Sequence, residues 1–131
     1  EMTAGWNQLE CRVLRNLSTA EGCRIPPLRR DEFDFGASIQ FRTTEWDKED
    51  IPAFLSGWAE RGVELRWFGA DSPAAFTSRY DSWAYIDDIP HLAATHAALD
   101  KTIDMRIPLT FDLEDCDVIA GIIADEALKA A

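Results

Sequence analysis

The sequence predicts a small layered α/β domain, with a short sheet of about three strands, helices packed on it and a linking helix in front. Three observations carry that expectation. Apolar residues recur at helical spacing in some stretches and alternate with polar ones in others. The two kinds of stretch alternate along the chain, as expected of helices layered on a sheet. And 131 residues, 47% of them apolar and 11% aromatic, suffice for one self-supporting core.

The elements follow in order. Residues 3–20 carry Trp6, Leu9, Val13 and Leu17 on one helical stripe, widened by Cys11 and Leu14, and Gly22 is placed to stop it. Ile25-Pro26-Pro27-Leu28-Arg29-Arg30-Asp31 reads as a linker, because consecutive prolines hold the chain extended. Residues 37–42 alternate polar and apolar, a half-buried strand. A second helix begins near Asp50, since Pro52 is tolerated only in a first turn. Ile51, Phe54, Leu55 and Trp58 form its apolar stripe, and Gly62 ends it. Val63–Trp67 alternates as a second strand. From Phe68 to Ile89 runs a long aromatic stretch, the length of a functional connection and too aromatic for disorder. Leu92, Thr95, His96 and Leu99 outline a short helix after Pro90, and Ile103–Ile107 is a third strand stopped by Pro108. Asp112 and Asp115 form a capping box opening the last helix, whose buried stripe is Cys116, Ile119, Ile122 and Ile123.

Composition narrows the function. Thirteen basic against twenty-four acidic residues give a net charge of −11, which repels phosphate backbones, and Arg29-Arg30 is cancelled at once by Asp31-Glu32. Nucleic acid is therefore not an expected partner. No apolar stretch reaches the ~20 residues of a membrane span, so no membrane is expected either. Cys11, Cys23 and Cys116 show no paired spacing, and the opening residues do not read as a signal peptide. The expected compartment is the cytoplasm. The opening residues, Glu1–Gly5, read like mid-protein sequence, so the chain is expected to be a piece of something longer.

Chemistry is harder to find. His91 and His96 stand about 140° apart around a helix and cannot share a metal as neighbours one turn apart could. The acids from Asp112 to Asp117 suit a helix start better than a calcium loop, which needs a glycine missing here. No metal site is expected. Lys48, Lys101 and Lys129 stand in charged or helix-edge surroundings, so none reads as a Schiff-base nucleophile and no catalytic residue is expected. The most suggestive stretch is Phe68–Trp83. There Arg79 could fork onto a carboxylate or phosphate, beside a stacking wall of Tyr80 and Trp83. The same stretch also reads as a loop packed on its own domain, with Arg79 paired to Asp81 or Asp71.

Four stretches resemble the C-terminal small domain of the DegT/DnrJ/StrS aminotransferases, within the fold-type I aspartate aminotransferase superfamily. They are the opening helix from Trp6-Asn7-Gln8-Leu9 to Arg12-Val13-Leu14, and Ser38–Arg42 followed by a helix ending Ala59-Glu60-Arg61-Gly62-Val63. The others are the short helix after Ile89-Pro90 and the run Met105-Arg106-Ile107-Pro108-Leu109-Thr110-Phe111-Asp112-Leu113-Glu114-Asp115. The resemblance implies that residues 1–22 are a linking helix from an upstream large domain and 23–131 the small C-terminal domain. It implies a pyridoxal phosphate enzyme, homodimeric at full length, moving an amino group from an amino-acid donor to a keto or aldehyde acceptor, possibly a sugar.

In such enzymes the cofactor is bound mainly by the large domain, which supplies the lysine, so the isolated chain is expected to be inactive. The small domain closes one side of the active site, and Arg79, Tyr80, Trp83 and Thr77 become the expected substrate-binding residues. Typical members place a tyrosine and a proline-histidine pair after the Gly-Val strand, where this chain has Arg66-Trp67-Phe68-Gly69-Ala70. That departure implies an unusual acceptor. The rival reading is a stand-alone acidic interaction module without catalysis, docking a protein through Phe68–Trp83.

Overall fold

A computed structural model of the chain describes residues 2–20, 22–27, 37–43, 45–72, 79–82 and 87–129. Among them are four α-helices, α1 (Met2–Leu17), α2 (Ile51–Glu60), α3 (Ala93–Leu99) and α4 (Leu113–Leu128). The strands are β1 (Cys23–Arg24), β2 (Ser38–Thr43), β3 (Arg66–Trp67) and β4 (Thr102–Arg106). They form one antiparallel sheet in the order β1-β2-β4-β3. The class is the expected α/β, but the sheet has four strands where about three were expected. The additional strand, β1, is two residues long, too short to show any alternation, and it pairs with the far end of β2 through Cys23 opposite Thr43.

The expected second strand also shortens. The Val63 N–H donates to the Trp58 carbonyl at 2.9 Å, closing the end of α2 around Gly62, whose φ is 83°. Only Arg66 and Trp67 remain to pair with β4. The first helix stops at Leu17, three residues early, because Ser18 and Thr19 turn their hydroxyls onto the carbonyls of Arg15 and Asn16. The capping box at α4 forms as read: Asp112 accepts from the Glu114 and Asp115 N–H groups, and Asp115 accepts from the Asp112 N–H.

Sheet register separates two faces. Ile39, Phe41, Ile103, Met105 and Trp67 point into the core, where Trp58 of α2 and Cys116 and Ile123 of α4 cover them. The opposite face carries polar rows: Arg24–Arg42–Thr102, then Gln40–Asp104–Arg66, then Ser38–Arg106. Leu9, Val13 and Leu17 bury α1 in the same core, and Trp6 Nε1 donates to the Ile107 carbonyl at 2.9 Å. Among the described residues no helix is long and apolar enough to cross a membrane.

An ionic clasp ties α1 to α4. Arg12 donates through Nε and Nη2 to the two oxygens of Asp117, each at 2.6 Å, and the Asn16 amide adds a third bond at 2.6 Å. These donors hold the Asp117 carboxyl down to about 2, with the Arg12 hydrogen bonds the largest cause. Because the folded state depresses this group, the clasp stabilises fully above the ordinary carboxylate value of 3.8. Its contribution is lost as pH falls from there through about 2. Asp117→Asn is therefore expected to flatten the acid limb of a stability-versus-pH series in that window while lowering stability near neutrality. Parallel acid limbs for the variant and the parent chain would show that Asp117 is not the group titrating.

Candidate functional site

The stretch after β3 is anchored before it becomes irregular. Trp67 is buried, and its Nε1 donates to the Asp100 carbonyl at 2.9 Å, fastening the end of β3 to the end of α3. The Phe68 N–H continues the ladder onto the Thr102 carbonyl at 3.0 Å. Gly69 then passes so close to α3 that a Cβ there would lie 2.7 Å from Asp100 Cα and 2.6 Å from Trp67 Nε1. No side chain fits that gap without backbone movement. Gly69→Ala is expected to destabilise the chain by about 1–3 kcal/mol, the usual cost of overpacking a closed contact. A melting curve matching that of the parent chain would show the contact to be loose.

Arg79 closes the same stretch on itself. Its Nε donates to Asp81 Oδ1 at 2.8 Å and its Nη2 to Asp81 Oδ2, a two-pronged pair. Its Nη1 donates to the carbonyls of Ala70 and Asp71, both at 3.0 Å. One guanidinium thus joins residues 70–71 to the 3₁₀ turn Tyr80–Ser82, which Ser82 Oγ seals by donating to the Arg79 carbonyl at 2.8 Å. The Arg79 hydrogen bonds hold the Asp81 carboxyl below its usual range. His96 Nε2 stands 3.9 Å from Asp81 Oδ2, and the Lys48 ammonium reaches Asp100 Oδ1 at 3.0 Å. These groups line a cleft of about 130 Å³, together with Phe68, Gly69 and Leu99. The cleft is polar and small, with cations and carboxylates already paired across it.

This architecture is shared with solved proteins. An aminotransferase, TlmJ, from Streptoalloteichus hindustanus superposes on 98% of this chain with a TM-score of 0.71 at 19% identity. 3-Amino-5-hydroxybenzoic acid synthase superposes on 99% with a TM-score of 0.75 at 17% identity. A DegT DnrJ EryC1 StrS aminotransferase from Brucella abortus covers 93% with a TM-score of 0.62 at 12% identity. The chain shares the fold of part of each of these aminotransferases. It spans about a third of the length of those proteins, 32%, 35% and 30% in turn. No family model and no curated protein sequence matches it.

Within that shared fold, the expected site residues separate. Arg79 lies at the cleft, with its fork on Asp81. Tyr80 opens the 3₁₀ turn. Thr77 and Trp83 lie outside the described residues. Sequence reading did not place Lys48, His96 or Asp100 at the cleft, because nothing in their spacing joins them; β3 and the end of α3 bring them there.

Each of the three lysines has a polar partner. Lys48 is paired with Asp100, Lys101 donates to the Trp46 carbonyl, and Lys129 is paired with Glu126 at 2.6 Å. There is no ready thiolate at Cys23 or Cys116. Burial pushes the Cys23 thiol up to about 11 and raises that of Cys116. Among the described residues no group of three or more His, Cys, Asp or Glu side chains is placed to hold a metal ion.

Proposed function

We propose that this chain is the C-terminal small domain of a pyridoxal-phosphate-dependent aminotransferase. In this reading residues 1–22 link it to the large domain, and the segment after β3 closes one side of the active site. The observation that carries the reading is the superposition of nearly the whole chain on about a third of several aminotransferases. Bound cofactor would supply the electron sink for amino transfer, and the large domain would supply the lysine and phosphate contacts. This chain's own part is to present a preset wall. Arg79 fixes residues 70–71 against the 3₁₀ turn, so the surface offered to an amino donor and a keto or aldehyde acceptor, a sugar among the candidates, is ordered before substrate arrives. The full-length enzyme would be a cytoplasmic homodimer.

The test uses two proteins. The 131-residue chain, incubated with pyridoxal phosphate and reduced with borohydride, is expected to retain no stoichiometric cofactor. The longer polypeptide encoded by the same gene is expected to retain one per subunit and to transaminate with glutamate as donor. A stoichiometric reduced adduct on Lys48, Lys101 or Lys129 would overturn the assignment of the lysine to another domain. A gene encoding nothing upstream of Glu1 would overturn the domain reading altogether.

A further inference from the structure

The face of the sheet turned away from α2 and α4 gathers four arginines, one from each strand. Arg24 of β1, Arg42 of β2, Arg66 of β3 and Arg106 of β4 all stand on it. Arg24, Arg42 and Arg106 are exposed, and Arg66 is half-buried. None of the four makes a hydrogen bond or ion pair among the described residues. Elsewhere the cations find carboxylates: Arg12 pairs with Asp117, Arg61 with Asp125 and Glu126, Arg79 with Asp81 and Lys48 with Asp100. With 24 acidic residues against 13 basic ones, four unpaired arginines together are positive charge set apart from an acidic surface.

Register places the four at two opposite corners of the face. Arg24 and Arg42 are direct cross-strand partners, with Thr102 next in their row. Like charges directly opposite destabilise a sheet, so this pair costs the fold until an anion lies between its guanidinium groups. Arg66 and Arg106 stand at the other corner, on adjacent strands and one row apart. Asp104 is the one carboxylate in the paired rows. It lies between Gln40 and Arg66 and two residues from Arg106, so it offsets that corner in part. The Arg24–Arg42 corner has no countercharge in its row. Strands about 4.8 Å apart and a rise of about 6.8 Å per two residues separate the two corners by about 14 Å.

A guanidinium fork matches a carboxylate or a phosphate, and two features select carboxylates here. The backbone N–H groups of a sheet lie in its plane, so none points at a ligand above this face as in sites built for phosphate. A chain of net charge −11 also repels a long polyanion wherever it runs past the sheet, while a short acidic segment meets this face alone. We propose that this face docks an extended acidic segment of a partner protein. One carboxylate lies between Arg24 and Arg42, and another lies at Arg66 and Arg106. Side chains four apart on an extended strand share one side and span about 13–14 Å, the separation of the two corners. None of these arginines lines the cleft at Arg79, and docking here does not depend on any transaminase activity.

The experiment is an NMR titration of the 131-residue chain with a short peptide of alternating glutamate and serine, its glutamine counterpart and a thymidine oligonucleotide. The glutamate peptide is expected to shift the backbone amides of Arg24, Arg42, Arg66 and Arg106 saturably, and the glutamine peptide to leave them in place. Raising the salt from about 0.01 M to about 0.15 M shortens the screening length from about 30 Å to about 8 Å and should weaken binding about tenfold. Arg24→Gln combined with Arg42→Gln should weaken it about three- to tenfold, the loss of two exposed ion pairs, whereas Arg15→Gln on α1 should bind as the parent does. The double variant relieves a like-charge contact at exposed positions, so its melting temperature is expected to hold or rise. A double variant that binds the glutamate peptide as tightly as the parent chain would overturn the proposal. So would tighter binding of the oligonucleotide, which would make the face a nucleic-acid surface. Shifts of the same amides with chain concentration alone would overturn it too, because a second copy would then be the occupant.

Discussion

Arg79→Lys in the longer polypeptide, read as the aminotransferase proposed above, is expected to lower transamination efficiency by about tenfold to a hundredfold while leaving cofactor content unchanged. The physical reason is the geometry of the fork. Arg79 bonds both oxygens of Asp81 and two backbone carbonyls at once, and an ammonium is a point charge that cannot span that set. With lysine there, residues 70–71 and the 3₁₀ turn are no longer held together. Displacing a positioning element by about 1 Å commonly costs on the order of a hundredfold in rate. Asp81→Asn separates the two roles open to Arg79. If Arg79 acts by clamping the segment, the asparagine variant loses efficiency to a similar degree, and the double variant loses little more. If Arg79 itself meets the substrate, freeing it from Asp81 leaves efficiency intact or raises it. Unchanged kcat/KM in both single variants, with unchanged melting curves, would remove the clamp from the functional site.

Trp58→Ala is expected to cost about 3–5 kcal/mol of stability, enough to lower the melting temperature by roughly 10–20 °C. Trp58 is fully buried, and its ring lies 5.8 Å from that of Trp46 and 6.0 Å from that of Phe54. Its Nε1 faces the Ile123 carbonyl at 3.4 Å, so it also bridges α2 to α4. The cavity left by an indole between α2, α4 and the sheet cannot collapse without shifting a helix. Phe54→Ala, on the same helix but only half-buried, is expected to cost clearly less. Equal losses at the two positions would mean that the aromatic cluster, rather than the junction of α2 with α4, carries the energy.

Much of this molecule was legible in one dimension. Period decides a helix, and Ile51, Trp58, Cys116 and Ile123 are buried because their spacing puts them on one side. Alternation likewise marked Ile39 and Phe41 of β2 as core. The capping box at Asp112 and Asp115 was readable because its partners are three residues apart, closer than any tertiary contact can intervene. Local rules fail where a segment is too short to have a period, as at Cys23–Arg24, or where a turn competes for a donor, as at Val63.

The candidate sites were decided by the tertiary structure. The sequence determined that Arg79 stands two residues from Asp81, and it left both self-pairing and substrate binding open. Only the path of the chain past Gly69 brings the carbonyls of residues 70 and 71 under the same guanidinium. Arg24, Arg42, Arg66 and Arg106 appear in the sequence as four cations on separate segments. The strand order β1-β2-β4-β3 and its register set them on one face of the sheet. Helix and strand periods are fixed by bonds within a few residues of each other. The pairing of distant strands depends on which faces can be buried together, a balance struck over the whole core.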